Sequence, residues 1–590
     1  MSTRRGGSWQ ALAAGLLVTA SCATSDDVYG SGQRTESRRE VTPQAFEVTT
    51  NVQRPISRFI YGVNFGELDG TPSGTAPWYG AVLPRGITLT RFGGNRLSAF
   101  DWVTGYSNVG TDGGHWENDR YLASSGNGAW NYGTAPGAAV AGRMDAARLR
   151  GRALMLTIPM LGYVAASGTG VPLDTALATW PARLAAYFKP SLPRKGSPFV
   201  VPTGAEPVVY QDELVAFVRD RVARVPADSS TPVFFGLDNE PDLWGSTHPE
   251  VTRPMWSYAE FSETSIAYAA AIKDVMPNAK VFGPSVATYT GMVAGDRYRN
   301  GWTDDPMYAR HNFLSIYLDR MSAANRSRGR RLLDVLDVHF YPSAGTSRGE
   351  VGNDRAPQDS AMIAARLQAP RSLWDPTFVE GSWVNDVAGG AIRLLPWLRD
   401  LVQHHYPGTP LSISEYYYGR GGDISGGLAQ ADVLGIFGRE GVFAAALWPN
   451  AAVDATPYGG EGAKAYAYLF AAFRLFLDYD GKGTGFGSVS VRATASDPGR
   501  ASVYASLGPA GRVTIIAINK DQGHEQSVSL NVRHPTALPH LSAAYELTGD
   551  SPEIVKLLEP SVRFLGFAGG VNRYGVRLPA LSATVLAFTP

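Results

Sequence analysis

Two glutamates closely follow short apolar runs, in the positions where a parallel barrel carries its reactive side chains. Glu240 follows the run 233–237, and Glu415 follows the run 411–414. Side chains at the carboxyl ends of barrel strands meet at one mouth. Breaking a glycosidic bond needs one carboxylic acid to protonate the leaving oxygen and one carboxylate at the anomeric carbon. The pair therefore predicts glycoside hydrolysis, whereas one such glutamate alone would more often only favour the following helix dipole.

Further polar and aromatic residues fall at the ends of the same series of runs. Asn239 is suited to hydrogen-bond a sugar 2-hydroxyl, and Arg91 is suited to pair with a carboxylate nucleophile and keep it ionised. Tyr341 is expected to position Glu415, and the Trp448 indole is expected to form a floor under a sugar ring. The predicted substrate-binding set is Arg91, Asn95, Asn239, Trp244, His339, Tyr341 and Trp448.

The elements that must position these residues are eight apolar runs separated by amphipathic segments. The runs lie at 59–65, 87–92, 154–159, 233–237, 280–283, 333–341, 411–415 and 443–448, and helical periodicity is clear at 210–225, 258–275, 307–321, 391–405 and 427–437. Such strand–helix units, with strands that are almost continuously apolar, predict an α/β fold, a (β/α)8 TIM barrel over residues 58–475. The segment 98–143 is rich in glycine and aromatic residues and is predicted to be a long loop insertion.

The pattern changes near residue 476 to half-alternating runs punctuated by Gly, Pro and Asn. Predicted strands are 488–492, 501–507, 513–519, 526–532, 541–547, 573–578 and 583–588. Because no long helix intervenes, residues 476–590 are predicted to form a C-terminal β-sandwich. The alternation at 45–52 predicts that residues 45–57 add a strand to it.

The amino terminus has the features of an export signal. Arg4 and Arg5 precede the apolar run 11–20, which is too short for the roughly 20 residues of a membrane span. The run leads into Ser21-Cys22, which resembles a bacterial lipobox and makes Cys22 a candidate for lipidation; cleavage after Ala23 is the alternative. We therefore expect a signal peptide over 1–22, a flexible linker over 23–44 and an exported protein, either extracellular or a cell-envelope lipoprotein. Membrane contact is expected only through such a lipid anchor.

Composition excludes several other classes of function. Lys plus Arg and Asp plus Glu both number 53, so bulk charge does not recruit nucleic acid. The single Cys excludes an intramolecular disulfide and a Cys-based zinc site. The sequence contains no His-Glu-x-x-His motif and no P-loop, and no required cofactor is predicted.

Longer motifs around these residues resemble glycoside hydrolase family 44, the endoglucanases and xyloglucanases built from a (β/α)8 barrel and a β-sandwich. The resemblance covers about residues 45–590, and its motifs are Thr90-Arg91-Phe92-Gly93-Gly94-Asn95, Asn239-Glu240-Pro241-Asp242-Leu243-Trp244 with Thr247-His248-Pro249, Ser414-Glu415-Tyr416, the run 424–442, and Tyr479-Asp480-Gly481. It implies a retaining mechanism with Glu240 as acid/base and Glu415 as nucleophile. Members of that family can carry a structural calcium ion, for which the resemblance assigns no ligands here.

Two cleft-loop blocks depart from the family pattern and leave the subsite preference open. They are Phe100-Asp101-Trp102 and the interrupted block Asp112-Gly113-Gly114-His115-Trp116. Several tryptophans also fall in predicted loops, and some are expected to stack on sugar rings along a cleft: Trp78, Trp102, Trp116, Trp244, Trp256, Trp374 and Trp383.

The predicted activity is therefore endo-cleavage of β-1,4-glucosidic bonds in cellulose-type glucan or xyloglucan. The absence of net charge suits an uncharged polysaccharide. Two alternatives stay open: a retaining barrel hydrolase acting on xylan or mannan, and a non-catalytic surface protein that binds glycans. Retention requires the two carboxyl groups to lie about 5–5.5 Å apart, whereas a separation near 8 Å would indicate inversion.

Overall fold

Eight parallel strands close into a barrel in chain order, which confirms the predicted (β/α)8 architecture. The structure, a computed structural model, describes residues 44–66, 83–110, 117–124, 130–168, 180–224, 231–251, 257–294, 312–448, 464–558 and 562–590. Barrel strands one to eight are Gly62–Asn64, Leu89–Phe92, Ala153–Ile158, Val233–Leu237, Val281–Val286, Val335–Phe340, Leu411–Tyr416 and Ala444–Leu447. Residues on both faces of these strands are buried, as expected for a parallel sheet that is covered by helices.

The helices around the barrel begin and end at recognisable sequence signals. The longer ones are Ala138–Leu149, Gln211–Ala223, Tyr258–Val275, Phe313–Arg328, Leu394–His405, Ile424–Glu440 and Ala467–Leu477. Ser257 and Glu260 form a capping box at the start of Tyr258–Val275. Gly441, at a φ of 70°, ends Ile424–Glu440 in the left-handed conformation that glycine adopts readily.

Short elements lie in the loops. Helices in these loops are Trp180–Tyr187, Trp244–Thr247, Tyr289–Ala294, Ser360–Gln368 and Trp383–Ala388, and small sheets join Ser107–Asn108 to Asn118–Asp119, Tyr163–Ala165 to Phe188–Leu192 and Val209–Tyr210, and Gly345–Thr346 to Gly349–Glu350. Among the described residues, no helix is both long and apolar enough to cross a membrane.

The two ends of the barrel interior differ in chemistry. Phe59, Phe234, Phe282 and Phe443 fill the end at which the strands begin, and the Phe59 and Phe234 ring centroids are 5.1 Å apart. Aromatic packing of this kind excludes water from that end. Polar side chains gather at the opposite end, where the strands finish and where ligands of such barrels bind.

The second sheet has ten strands and folds over its own core as the predicted C-terminal β-sandwich. Its strands are Gln44–Pro55, Val489–Ala495, Ala501–Leu507, Val513–Asn519, Gln526–Arg533, Leu541–Thr548, Ser551–Lys556, Val562–Ala568, Val571–Leu578 and Ser582–Phe588. Gln44–Pro55 lies between Val489–Ala495 and Gln526–Arg533. The ring centroids of Tyr574 and Phe588 are 4.9 Å apart in this core.

Two strands of this sheet, Ser551–Lys556 and Val562–Ala568, were not predicted from the sequence. They form the two edges of the sheet, and most of their residues are partly or fully exposed. An edge strand with little buried surface carries no clear apolar alternation, which is the signal that sequence reasoning depends on.

The sandwich is attached to the barrel through the helix Ile424–Glu440. Asp432 in this helix accepts a hydrogen bond of 2.6 Å from the Tyr504 hydroxyl and pairs with the Lys520 ammonium group at 2.8 Å. A Cβ at position 435 would overlap the Tyr504 ring, so Gly435 lets the two domains approach closely. Part of the long family-like run 424–442 thus serves as a docking surface for the sandwich.

Candidate active site

Glu240 and Glu415 come together at the open mouth of the barrel. One carboxylate oxygen of each, together with a ring nitrogen of His339, forms a group whose atoms all lie within 4.8 Å of one another. His339 Nδ1 is 2.9 Å from Glu240 Oε1 and 3.6 Å from Glu415 Oε2. The Glu240 side chain is 20% exposed and that of Glu415 is 6% exposed. The more exposed carboxyl group is thus the one that follows strand four.

Glu415 is held through both of its oxygens. Arg91 Nη1 lies 2.6 Å from Oε1, and the Tyr341 hydroxyl donates to Oε2 at 2.9 Å. Burial raises the pKa of Glu415 above its ordinary value, and the Arg91 charge opposes that rise. Burial also raises the pKa of Tyr341 well above its ordinary value, so its hydroxyl keeps its proton and donates. The predicted pairings of Arg91 and Tyr341 with Glu415 are both present.

The Arg91 guanidinium also orients the neighbouring amides. It donates to Asn64 Oδ1 at 3.0 Å and to Asn239 Oδ1 at 2.8 Å, and the Gly94 backbone N–H donates to the same Asn239 oxygen at 3.1 Å. Since Oδ1 of Asn239 is engaged twice, its amide nitrogen is the group left to face a hydroxyl acceptor. A Cβ at Gly93 would overlap the guanidinium, which gives a physical reason for the first glycine of the Gly93-Gly94 pair.

The turn that carries Glu240 is strained and tightly held. Asp238 and Glu240 have φ values of 61° and 47°, in the left-handed region that non-glycine residues rarely adopt. The Asp238 carboxylate accepts hydrogen bonds from the Ser98 hydroxyl at 2.6 Å, from the Asn239 backbone N–H at 2.7 Å and from the Met160 backbone N–H. Burial raises the pKa of Asp238 to about 6, although these hydrogen bonds act in the opposite direction. The turn therefore depends on an intact Asp238.

His339 is buried and electrically neutral near pH 7. Burial lowers its pKa to about 4, and the Arg91 charge contributes to the lowering. A neutral imidazole carries one N–H and one lone pair, so in one tautomer Nδ1 accepts from a protonated Glu240 and in the other it donates to an ionised one. His339 thus contacts Glu240 without adding a positive charge beside it.

Three other residues predicted to bind substrate have different environments. Trp448 is partly exposed at the mouth of the barrel. Its ring centroid lies 5.7 Å from that of Phe65, and its indole is within van der Waals reach of Gly94. The Asn95 amide donates to the Val109 carbonyl at 2.7 Å and holds a loop. The predicted sugar contact of Trp244 is wrong: the residue is 1% exposed, and its indole N–H donates to the Asn239 carbonyl at 3.1 Å.

The loop tryptophans are likewise divided between packing and exposure. Trp102 is buried, and Trp374 lies under the Arg439 guanidinium at 4.1 Å beside the sandwich. Trp383 is 46% exposed. Trp78, Trp116 and Trp256 lie outside the described residues, as do the interrupted block 112–116 and Cys22.

The site contains two supporting residues that sequence reasoning missed, Asn64 and Asp238. Asn64 ends barrel strand one, and its amide donates to the carbonyl of Ser414 at 3.0 Å. Both residues lie at or directly after the end of an apolar strand, so the rule that found Glu240 and Glu415 applies to them equally. Their role became visible only from the partners that the fold brings to them.

The described residues offer one cluster of three His, Asp or Glu side chains close enough to share a metal ion, and it is Glu240, His339 and Glu415. An imidazole nitrogen beside two carboxylates is unlike the all-oxygen shell that calcium prefers. The calcium ion implied by the family resemblance therefore stays a prediction without ligands.

Paired glutamates at the carboxyl ends of strands four and seven, in a closed (β/α)8 barrel, define the class of barrel glycoside hydrolases. Comparison with known proteins gives the family. The model of glycoside hydrolase family 44 matches residues 98–344. A solved family 44 endoglucanase from Clostridium thermocellum is 31% identical with a TM-score of 0.78, over 92% of this chain and 99% of that one. The chain belongs to glycoside hydrolase family 44.

Other relatives carry related activities. A family 44 xyloglucanase from Paenibacillus polymyxa, solved with xyloglucan, is 29% identical with a TM-score of 0.77, over 93% of this chain and 99% of that one. Endoglucanase A of Paenibacillus lautus is 36% identical over 81% of this chain, and a β-mannanase/endoglucanase A of Caldicellulosiruptor saccharolyticus is 33% identical over 86%. The chain spans 63% and 36% of the lengths of these last two proteins.

Proposed function

We propose that this chain is a retaining glycoside hydrolase that cleaves internal β-1,4-glucosidic bonds of cellulose-type glucan or xyloglucan. The observation that carries the proposal is the approach of Glu240 and Glu415, whose nearest oxygens lie within 4.8 Å. So close an approach supports the roughly 5–5.5 Å spacing of retaining enzymes over the roughly 6.5–9.5 Å between the carboxyl groups of inverting ones.

In the first step Glu415 attacks the anomeric carbon, and Glu240 protonates the glycosidic oxygen as that bond breaks. Glu415 suits the nucleophile because Arg91 at 2.6 Å favours its ionised form and, with Tyr341, fixes both oxygens. Glu240 suits the acid because its carboxyl group is more exposed than that of Glu415 and because His339, 2.9 Å away, is neutral. The products are a glycosyl ester of Glu415 and the freed end of the glucan chain.

In the second step Glu240, now a carboxylate, removes a proton from water while the water oxygen attacks the anomeric carbon. The ester bond to Glu415 breaks, and the sugar leaves with its original anomeric configuration. Asn239, with its Oδ1 fixed by Arg91 and Gly94, presents its amide nitrogen to the sugar 2-hydroxyl. That hydrogen bond is expected to strengthen as the anomeric carbon gains positive charge.

The substrate proposal rests on the relatives and on the cleft. The similar solved proteins are described as endoglucanases and as a xyloglucanase, and one relative is also a mannanase. Product analysis on carboxymethylcellulose, xyloglucan, xylan and mannan separates these substrates. Release of reducing sugar from a soluble glucan, with the β-anomer as the first product seen by NMR, is expected. No release from any of the four polymers would favour the glycan-binding alternative, and an α-anomer first would contradict retention.

Export and lipidation form a separate part of the proposal. Their support is the basic start, the apolar run 11–20 and the small residues before Cys22 in the sequence. Mass spectrometry of the amino-terminal peptide from the native host is expected to find an acylated Cys22, and a Cys22→Ala variant is expected in the medium. An unmodified peptide that begins after Ala23 would instead support ordinary signal cleavage.

A further inference from the structure

Barrel strand six is flanked by two β-bulges, one in each neighbouring strand. In strand five, Ser285 is the extra residue between the pairs Pro284–Asp337 and Val286–Val338. In strand seven, Ser414 is the extra residue between the pairs Ile413–Val338 and Glu415–His339. Bulges change the direction of the following side chains and occur often beside active sites. These two serines therefore influence where the ends of strands five and seven point.

Each bulge is attached to one of the paired glutamates. Ser414 directly precedes Glu415 in the chain. The Ser285 carbonyl accepts the backbone N–H of Glu240 at 2.9 Å, and Ser285 itself is in the left-handed region with a φ of 54°. Any shift of Ser285 or Ser414 is therefore passed on to the carboxyl group of Glu240 or Glu415.

One buried carboxylate joins the two bulges. Oδ2 of Asp337 accepts a hydrogen bond from the Ser285 hydroxyl at 2.7 Å and another from the Ser414 hydroxyl at 2.6 Å. Asp337 is fully buried in strand six, two residues before His339. Among the described residues its second oxygen, Oδ1, has no hydrogen-bond partner, so the contacts of this carboxylate are with the two bulges.

We propose that Asp337 is a positioning residue that sets the separation of Glu240 and Glu415 by tying the Ser285 and Ser414 bulges to strand six. The inference rests on the proposed function of the two glutamates and adds what holds them at their working distance. Double displacement needs both carboxyl groups in place at once, and a misplacement of about 1 Å can slow an enzyme about 100-fold. Asp337 itself does not touch the reacting atoms.

The test compares three serines in the same buried layers of the barrel. Ser285→Ala and Ser414→Ala each remove one hydroxyl that donates to Asp337. Ser412→Ala is the matched control, because Ser412 is fully buried in strand seven and its hydroxyl has no hydrogen-bond partner among the described residues. We expect kcat on a soluble glucan to fall about tenfold for the first two variants, with KM within about twofold, and to stay within about twofold for the control.

Substitutions of Asp337 itself test the shared carboxylate. Asp337→Ala is expected to lower kcat about 100-fold, whereas Asp337→Asn keeps an acceptor oxygen and should retain most of the activity. In the Asp337→Ala background, Ser414→Ala should cause no further loss, because both residues act through one contact. If Asp337→Ala does not fold, the serine variants still decide the question.

Crystal structures of the variants separate this inference from the proposed function. Displacement of Glu240 or Glu415 by about 1 Å in Ser414→Ala or Ser285→Ala, with Ser412→Ala unmoved, would support positioning even if the wild-type protein hydrolysed none of the polymers. Unmoved glutamates in all three variants, or losses of kcat in Ser285→Ala and Ser414→Ala no larger than in Ser412→Ala, would overturn it.

Discussion

Two buried carboxylates in this chain have the same two kinds of partner, a cation and a tyrosine hydroxyl. Glu415 pairs with Arg91 at 2.6 Å and Tyr341 at 2.9 Å at the barrel mouth. Asp432 pairs with Lys520 at 2.8 Å and Tyr504 at 2.6 Å between barrel and sandwich. Burial raises the pKa of both tyrosine hydroxyls well above the ordinary value, so each keeps its proton and donates.

The difference between the two groups is what lies on their open side. Glu415 has a second carboxyl group, Glu240, within reach and faces the mouth through which a ligand enters. Asp432 and Lys520 are each 2% exposed, and the interface around them is closed. The same local chemistry therefore occurs at the open mouth of the barrel and at a closed interface between domains. A buried ion pair by itself does not mark an active site.

The largest expected effects come from replacing Glu415 and Asp432, and the two replacements should affect different properties. Glu415→Gln should lower kcat/KM by about 10⁴-fold or more, the scale seen when a covalent nucleophile is removed. Asp432→Asn should leave kcat within about twofold and lower the free energy of unfolding by about 3–5 kcal/mol, because Lys520 stays buried without its partner. Reducing-sugar kinetics and urea denaturation measure the two. Loss of activity in a folded Asp432→Asn protein would remove the distinction.

Glu240, the second carboxyl group at the barrel mouth, has no counterpart beside Asp432. Replacing Glu240 tests what this group adds. Glu240→Gln should slow hydrolysis of polysaccharide by about 10²–10⁴-fold, the usual contribution of general acid catalysis. The value of kcat/KM for an aryl glycoside with an activated leaving group should be nearly unchanged, because that leaving group needs no proton. Added azide should accelerate the second step, the breakdown of the glycosyl ester, in the Glu240→Gln variant. Equal losses on both substrates would show that Glu240 is not the acid.

The two cations should differ in the quantity they control. The pKa of Glu415 lies above its ordinary value, so activity should be lost as the pH falls through it, because a protonated carboxyl group cannot attack. Arg91→Met removes the charge that opposes this rise and should move the acid limb of kcat/KM to higher pH. Lys520→Met should lower the melting temperature and leave the pH profile unchanged. An unshifted limb in Arg91→Met would contradict the pairing.

The smallest effects are expected at the two tyrosines. Each hydroxyl donates to a carboxylate, and such a hydrogen bond contributes about 1.5–3 kcal/mol. Tyr341→Phe should therefore lower kcat roughly tenfold in addition to lowering the free energy of unfolding. Tyr504→Phe should lower the free energy of unfolding by about that amount while kcat stays the same. Calorimetry and kinetics on both variants measure these effects. A loss of kcat in Tyr504→Phe, with kcat unchanged in Tyr341→Phe, would refute the comparison.

Much of the architecture could be predicted because its signals are local. The eight apolar runs coincide with the eight barrel strands, since a strand buried on both faces must be apolar along its length. The edge strands Ser551–Lys556 and Val562–Ala568 could not be predicted because residues at exposed positions need not be apolar. The burial of Trp244 could not be predicted for a related reason. Its residue type suits sugar stacking, but only packing decides whether a ring faces a cleft. In this fold the Trp244 ring lies buried under Asn239.

The sequence by itself determined the class of chemistry, because only certain residue types protonate an oxygen or attack an anomeric carbon, and Glu240 and Glu415 stand where strands end. It also indicated Arg91 and Tyr341 as partners of Glu415. Only the tertiary structure decided the approach of the two carboxyl groups to within 4.8 Å and their support by Asn64, Asp238 and Asp337. Those supporting contacts join strands far apart in the chain, and no local pattern records which buried polar group will face which other.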